Sequence, residues 1–139
     1  MIGLDTNILV RYYMADDGDD AATAAQSEAA RTLIDSGKRL MVSKTVVLEL
    51  EWVMRGYYEL PKAQVAEALT QLLSMAHVQV EDKIAVQSAV AALALGFDFA
   101  DALHHASYST CSSLATFDDK GFARRAKKAL WKPPVIVLA

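Results

Sequence analysis

Several things are scarce in this sequence. There is one cysteine, Cys111, so no internal disulfide is available and a reducing compartment suits the chain. Three prolines and six glycines in 139 residues leave no linker and no low-complexity tract, and no internal repeat is present. The longest apolar stretch, Ala85 to Phe97, is interrupted by Gln87 and Ser88. It falls short of the roughly 20 residues that span a bilayer, and reads as a buried core helix. No basic segment precedes an apolar run at Met1-Ile2-Gly3-Leu4-Asp5, so no export signal is expected and the protein is placed in the cytoplasm. A large charge of either sign is missing too. Lys plus Arg is 14 and Asp plus Glu is 17, a net charge of −3, which excludes a strongly cationic coat for nucleic acid but not a local basic patch.

What is present describes one globular domain spanning 1–139. Hydrophobic residues at 53% against 22% charged exclude a disordered chain. A chain of this length buries about two-thirds of its unfolded surface, enough for one core.

Strands and helices alternate along it. Met1 to Leu4 reads as a buried strand and Asn7 to Met14 as a short helix. Ala15 to Asp20 is an acidic loop, expected to be solvated rather than a metal site. Ala21 to Ser36 is a helix stopped by Gly37, and Leu40 to Val42 a strand. Ser43 caps a helix to about Tyr58, and Pro61 opens another to about Met75. His77 to Val80 is a strand, and Asp82 caps a helix ended by Gly96. Asp98 opens a helix to about Thr110. Ser113 to Thr116 and Val135 to Leu138 are strands flanking a helix over Lys120 to Leu130. This pattern predicts an α/β fold: a mostly parallel sheet of about five short strands, covered by helices on both faces. Ligands in such folds bind beyond the carboxyl ends of the strands.

Four carboxylates stand in apolar sequence, where an unpaired buried charge is costly. Asp5 follows the first strand and precedes Thr6 and Asn7; the competing role is a helix cap. Glu49 lies, on a helical wheel centred on Val46, with the apolar positions, and is expected to face inward toward a ligand. Glu51 falls near Lys44 and Arg55 and is expected to be surface, paired with Arg55 at i,i+4. Asp98 and Asp101 have capping-box spacing, with Asp98 the cap and Asp101 free to face a site as well. Asp118 follows a strand as Asp5 does, and Asp119 beside it is read as a cap for the last helix. Clustered carboxylates repel unless a cation joins them, and oxygen ligands favour Mg²⁺ or Mn²⁺. Asp101 with His105, at i,i+4, is half of a zinc site, but Cys111 is alone and His77 lies elsewhere. His104 and His105 are therefore expected to be packed or hydrogen-bonded.

Asp5-Thr6-Asn7 after a strand, Val47-Leu48-Glu49-Leu50, Asp98-Phe99-Ala100-Asp101-Ala102-Leu103-His104 and Thr116-Phe117-Asp118 together resemble the PIN-domain ribonucleases. They look most like the VapC-type toxins of bacterial toxin–antitoxin pairs. The likeness runs over essentially the whole chain and rests on the ordered set, each motif being short. It implies a PIN-like three-layer fold and an acidic site holding Mg²⁺ or Mn²⁺. Asp5, Glu49, Asp101 and Asp118 are the positions it makes catalytic and metal-binding, with Thr6, Asn7, Asp98 and Thr116 supporting them. It also implies a homodimer and a small antitoxin protein that enters the active-site groove.

The expected chemistry is hydrolysis of RNA phosphodiester bonds without a protein nucleophile, consistent with the lack of a Ser–His or Cys–His pairing. Six of the 14 basic residues fall between Lys120 and Lys132, and Arg124, Arg125 and Lys127 there, with Arg11, are the expected RNA contacts; the competing role is a solvated helix face. Two rival functions are a non-catalytic PIN-fold binding module and a haloacid-dehalogenase-like phosphatase. The phosphatase needs a second aspartate two residues after the first, where this chain has Asn7.

Overall fold

The structure, a computed structural model, describes residues 1–14 and 20–138. Apart from Asp20, the acidic loop lies outside the described residues. The elements are β1 (Ile2–Gly3), α1 (Thr6–Tyr13), α2 (Ala21–Ile34), β2 (Leu40–Val42), α3 (Lys44–Trp52), a π-helical turn (Val53–Tyr57), α4 (Lys62–Ser74), β3 (Val78–Val80), α5 (Lys83–Ala94), α6 (Phe99–Ser107), β4 (Leu114–Thr116), α7 (Phe122–Lys128) and β5 (Val135–Val137). Their alternation follows the sequence pattern, and side-chain caps explain most starts. Asp20 Oδ1 accepts from Thr23 N at 2.8 Å, Ser43 Oγ from Val46 N at 3.3 Å, and Asp98 Oδ2 from Asp101 N at 3.0 Å. Gly96, at φ +97°, makes the left-handed exit after α5 that a side chain disfavours.

All observed strand pairs are parallel. β1, β2 and β3 join in that order, Ile2 opposite Leu40 and Leu40 opposite Val78, while β4 and β5 form a separate pair, Leu114 opposite Val135. The expected single five-stranded ladder is therefore divided into three and two. Nor is every strand covered. Leu40, Val42, Val78 and Val80 are buried, but both residues of β1 are exposed, as are Ile136 and Val137. Residue pattern foretold the strands' apolar character; their burial depends on partners that β1 lacks on one edge.

The core lies between this sheet and α1, α3, α4, α5 and α6, with Leu9, Leu50, Met54, Leu69, Leu93 and Phe99 fully enclosed. α5, the apolar stretch, contributes Val86, Ala89 and Leu93, as its composition predicts, and no described helix is long and apolar enough to cross a membrane. Asp82 precedes α5 but forms no cap; its carboxylate takes Lys44 Nζ at 2.9 Å. At the C-terminal end, Trp131 packs on Phe97, His105 and Phe122, with ring centroids 4.5, 4.9 and 5.7 Å away. Buried His105 donates from Nε2 to Pro133 O at 2.7 Å, the hydrogen-bonded role expected for it, whereas His104 is exposed.

Candidate active site

The carboxyl ends of parallel strands deliver Asp5 and Asp118, while Glu49 and Asp101 come from helices. Asp5 stands just past β1, where Oδ1 accepts from Thr6 N at 2.7 Å and starts α1. α3 follows β2 and carries Glu49. Asp5, Thr6, Asn7, Val10 and Arg11 on one side and Glu49, Trp52 and Val53 on the other line a cleft of about 360 Å³. Two of the four candidate acids and two supporting residues thus meet in one cavity. Arg11 joins them, its Nε donating to Gln26 Oε1 at 3.0 Å.

Asp98, Asp101 and Asp118 form a second acidic group. Asp101 sits half-buried in the first turn of α6. Burial raises its pKa first; the negative charges of Asp98 and Asp118 add to that, and His104 opposes them. Asp118 is engaged by the backbone: its two carboxylate oxygens accept from Gly121 N at 3.0 Å and Phe122 N at 3.4 Å, and its own N–H donates to Thr116 Oγ1 at 3.0 Å. Asp118, not Asp119, is therefore the residue that stabilises the entry to α7. A Cβ at Gly121 would stand 3.0 Å from Asp118 Oδ2, so glycine gives that carboxylate its place against the chain.

The expected faces of α3 are exchanged. Val47, Leu50, Glu51 and Met54 are buried, while Thr45, Glu49, Trp52 and Gly56 are exposed. Glu49 faces the cleft rather than the core, and Glu51, expected on the surface, is 1% exposed. Counting Trp52 as apolar core turns the predicted inner face toward Glu49, whereas the buried face runs through Val47, Leu50, Glu51 and Met54. An exposed indole overturns that inference. The i,i+4 pair itself holds: Arg55 Nε reaches Glu51 Oε2 at 2.6 Å. The Glu51 hydrogen bond is the largest influence raising the Arg55 pKa, and the charge of Asp98 adds to it. Arg55, expected from the sequence as the partner of Glu51 and as an addition to the basic surface, thus stands within electrostatic reach of Asp98.

The donors are all oxygen. Among the described residues the carboxylates of Glu49 and Asp101 accept no hydrogen bond, and buried Thr6 Oγ1 finds no partner. Buried polar atoms ordinarily have partners, so this hydroxyl beneath the cleft is notable. Among the described residues no three His, Cys, Asp or Glu side chains converge on a common point. Mg²⁺ binds through one or two carboxylates and retains several waters, so this oxygen set fits a hard divalent ion without a closed cage.

The expected basic surface exists as exposed side chains. Arg124, Arg125 and Lys127 on α7 are exposed and form no ion pair among the described residues. Arg125 is steadied over the Phe97 ring, 5.3 Å from its centroid.

No curated protein and no solved structure matches the chain. Its sequence does match the PIN domain family over residues 2–128, and that family is generally one of nucleases. The parallel strands and acidic strand ends accord with that match, which favours this reading over the phosphatase one: the chain belongs to the PIN domain family.

Proposed function

We propose that the protein is a divalent-metal-dependent endoribonuclease acting as the toxin of a VapC-type toxin–antitoxin pair. The observation that carries the nuclease reading is the single cleft lined by Asp5, Glu49 and Arg11. Asp5 and Glu49, with Asp101 and Asp118 from the second group, are the residues that would hold Mg²⁺ or Mn²⁺. When bound, the ion supplies charge neutralisation at the phosphate and acidifies water. The protein does the positioning. Arg11 attracts the phosphate into an otherwise acidic cleft, and its contact with Gln26 fixes its direction. Caps hold Asp5, Asp98 and Asp118 at helix starts, where backbone N–H groups stabilise their negative charge. Glu49 and Asp101, without hydrogen bonds of their own, keep their lone pairs for ligand or water. Hydrolysis adds the oxygen of water to phosphorus opposite the departing 3′ oxygen, leaving a 5′-phosphate and a 3′-hydroxyl. Arg124, Arg125 and Lys127 serve the RNA backbone further along.

Association is proposed with a second copy and with a small antitoxin. Exposed Ile84, Leu95 and Leu130 beside a cavity of about 670 Å³ between α5, α6 and Trp131 support protein contact, since apolar surface of this kind marks interaction sites.

The deciding experiment is cleavage of a mixed RNA pool with Mg²⁺ or Mn²⁺, with EDTA, and with Asp5→Asn. Cleavage is expected to need the metal and to fall in the variant by more than the roughly 10–100-fold that loss of an outer-shell partner costs. Cleavage that survives both EDTA and the substitution overturns the proposal; RNA binding without cleavage establishes the binding module instead. Co-purification with a small protein encoded beside it tests the toxin role.

A further inference from the structure

Trp52 is left outside the core. Its side chain is 59% exposed although it ends a helix whose other face builds the core. Leaving so large an apolar ring in water forgoes the stabilisation its burial brings. The ring is nonetheless held in place. A Cβ at Gly56 would lie 3.4 Å from Trp52 Cε2 and 3.6 Å from Nε1, so the indole lies against a position with no side chain to displace it. Gly56 belongs to the π-helical turn that begins directly after Trp52, an irregularity that occurs frequently at functional sites.

Its location is specific. Trp52 follows Glu49 by three residues on the exposed strip Thr45, Glu49, Trp52 and Gly56, and lines the same cleft as Asp5 and Arg11. The indole Nε1–H makes no hydrogen bond among the described residues. One cavity therefore holds carboxylates, a guanidinium and a wide aromatic face. At about 360 Å³ it is at the small end of ligand pockets, which run from roughly 300 to 1,000 Å³, and is too narrow for a duplex.

We infer that Trp52 is the nucleobase platform of this cleft, stacking one unpaired base of the RNA while Arg11 takes the adjoining phosphate and Asp5 and Glu49 face the scissile bond. The inference rests on the ribonuclease reading above and adds its recognition element. Stacking needs only a π face, so Trp52 selects an unstacked nucleotide without choosing its sequence. It also sets the position of the cut, because a base fixed on Trp52 fixes which phosphate comes beside Glu49.

The test compares wild type, Trp52→Phe and Trp52→Ala. Affinity for a short, labelled, mixed-sequence single-stranded RNA is measured by anisotropy in EDTA, tryptophan emission is followed in the same titration, and cleavage kinetics are measured with Mg²⁺. RNA is expected to quench emission in wild type, and the quenching is lost in Trp52→Phe while affinity is largely kept. Trp52→Ala weakens binding roughly 5- to 150-fold, the range for one stacked base, and raises KM with kcat within about twofold. Unquenched emission with equal affinity and KM in all three proteins overturns the inference, as does a Trp52→Ala protein that changes only its oligomeric mass in light scattering; the latter assigns the indole to a protein contact. The two readings fail separately. Wild type that cleaves without quenching or a KM effect loses the platform alone. Wild type that quenches but never cleaves loses the nuclease alone, and one that does neither loses both.

Discussion

Two glutamates two residues apart divide the labour of α3. Glu51 is enclosed by the core and bonded to Arg55, whose side chain is 33% exposed. Removing one partner costs about 3–5 kcal/mol when it strands the other's charge in the core, so Arg55→Ala, which leaves enclosed Glu51 unpaired, is expected near the lower figure. The urea midpoint should fall accordingly, whereas the double change Glu51→Leu with Arg55→Met should restore most of it. Asp101 behaves in the opposite sense. Its pKa is raised by burial and by its acidic neighbours, so folding disfavours its charged form. The resulting penalty is absent below the ordinary carboxylate range and develops as pH rises through the folded value. Asp101→Asn is therefore expected to raise the melting temperature at pH 7 in EDTA and to bring no gain near pH 3, while abolishing cleavage. Equal melting temperatures at pH 7 would show that neither burial nor the acidic neighbours make the Asp101 charge costly to the fold.

At the scale of elements, caps carried most of the information. Asp5, Ser43 and Asp98 stand before helices whose starts the structure places within a residue of expectation, because a capping side chain and its target lie within one turn of sequence, whereas the ends expected near Tyr58 and Thr110 fall at Trp52, with a π turn beyond it, and at Ser107. Two features were not readable. The π-helical turn after Trp52 leaves no residue signature, and the faces of α3 depend on what packs against it. An indole is read as core by its chemistry, and only the three-dimensional cleft shows it to be exposed. The acids were found individually as misplaced charges, but which of them share a cavity is a tertiary fact. The α7 entry offers a test at this scale. Gly121→Ala would bring a methyl to 3.0 Å from Asp118 Oδ2 and displace the carboxylate from its backbone donors. A loss of about 0.5–2 kcal/mol, typical of a cap, is expected together with reduced cleavage. Asp119→Asn should change neither, since Asp119 accepts no hydrogen bond among the described residues. Reduced cleavage in Asp119→Asn alone would reverse the assignment.

Over the whole molecule, a net charge of −3 conceals opposed regions. Acids gather at strand ends and helix starts, while α7 exposes Arg124, Arg125 and Lys127. The charge total could be read from the sequence, but not that these cations are without ion-pair partners among the described residues. Reversing Arg124 and Arg125 to Glu is expected to weaken RNA binding and to flatten its dependence on salt, by about 1.4 in the log–log slope if each contacts one phosphate of a single strand. An unchanged slope would make α7 a solvated face and leave Arg11 the principal cation for RNA.

The two walls of α3 also limit how this helix can change over generations. Deleting one residue between Ser43 and Glu49 would turn everything beyond it by about 100°. Glu51 and its partner Arg55 would turn together away from the core, and the cleft would lose Glu49 and Trp52 together. A substitution along α3 disturbs one contact, whereas a change in its length disturbs both faces at once. A change of length is expected to be borne only in the connections on either side of it, and the spacing from Ser43 to Trp52 acts as a fixed ruler between the sheet and the cleft.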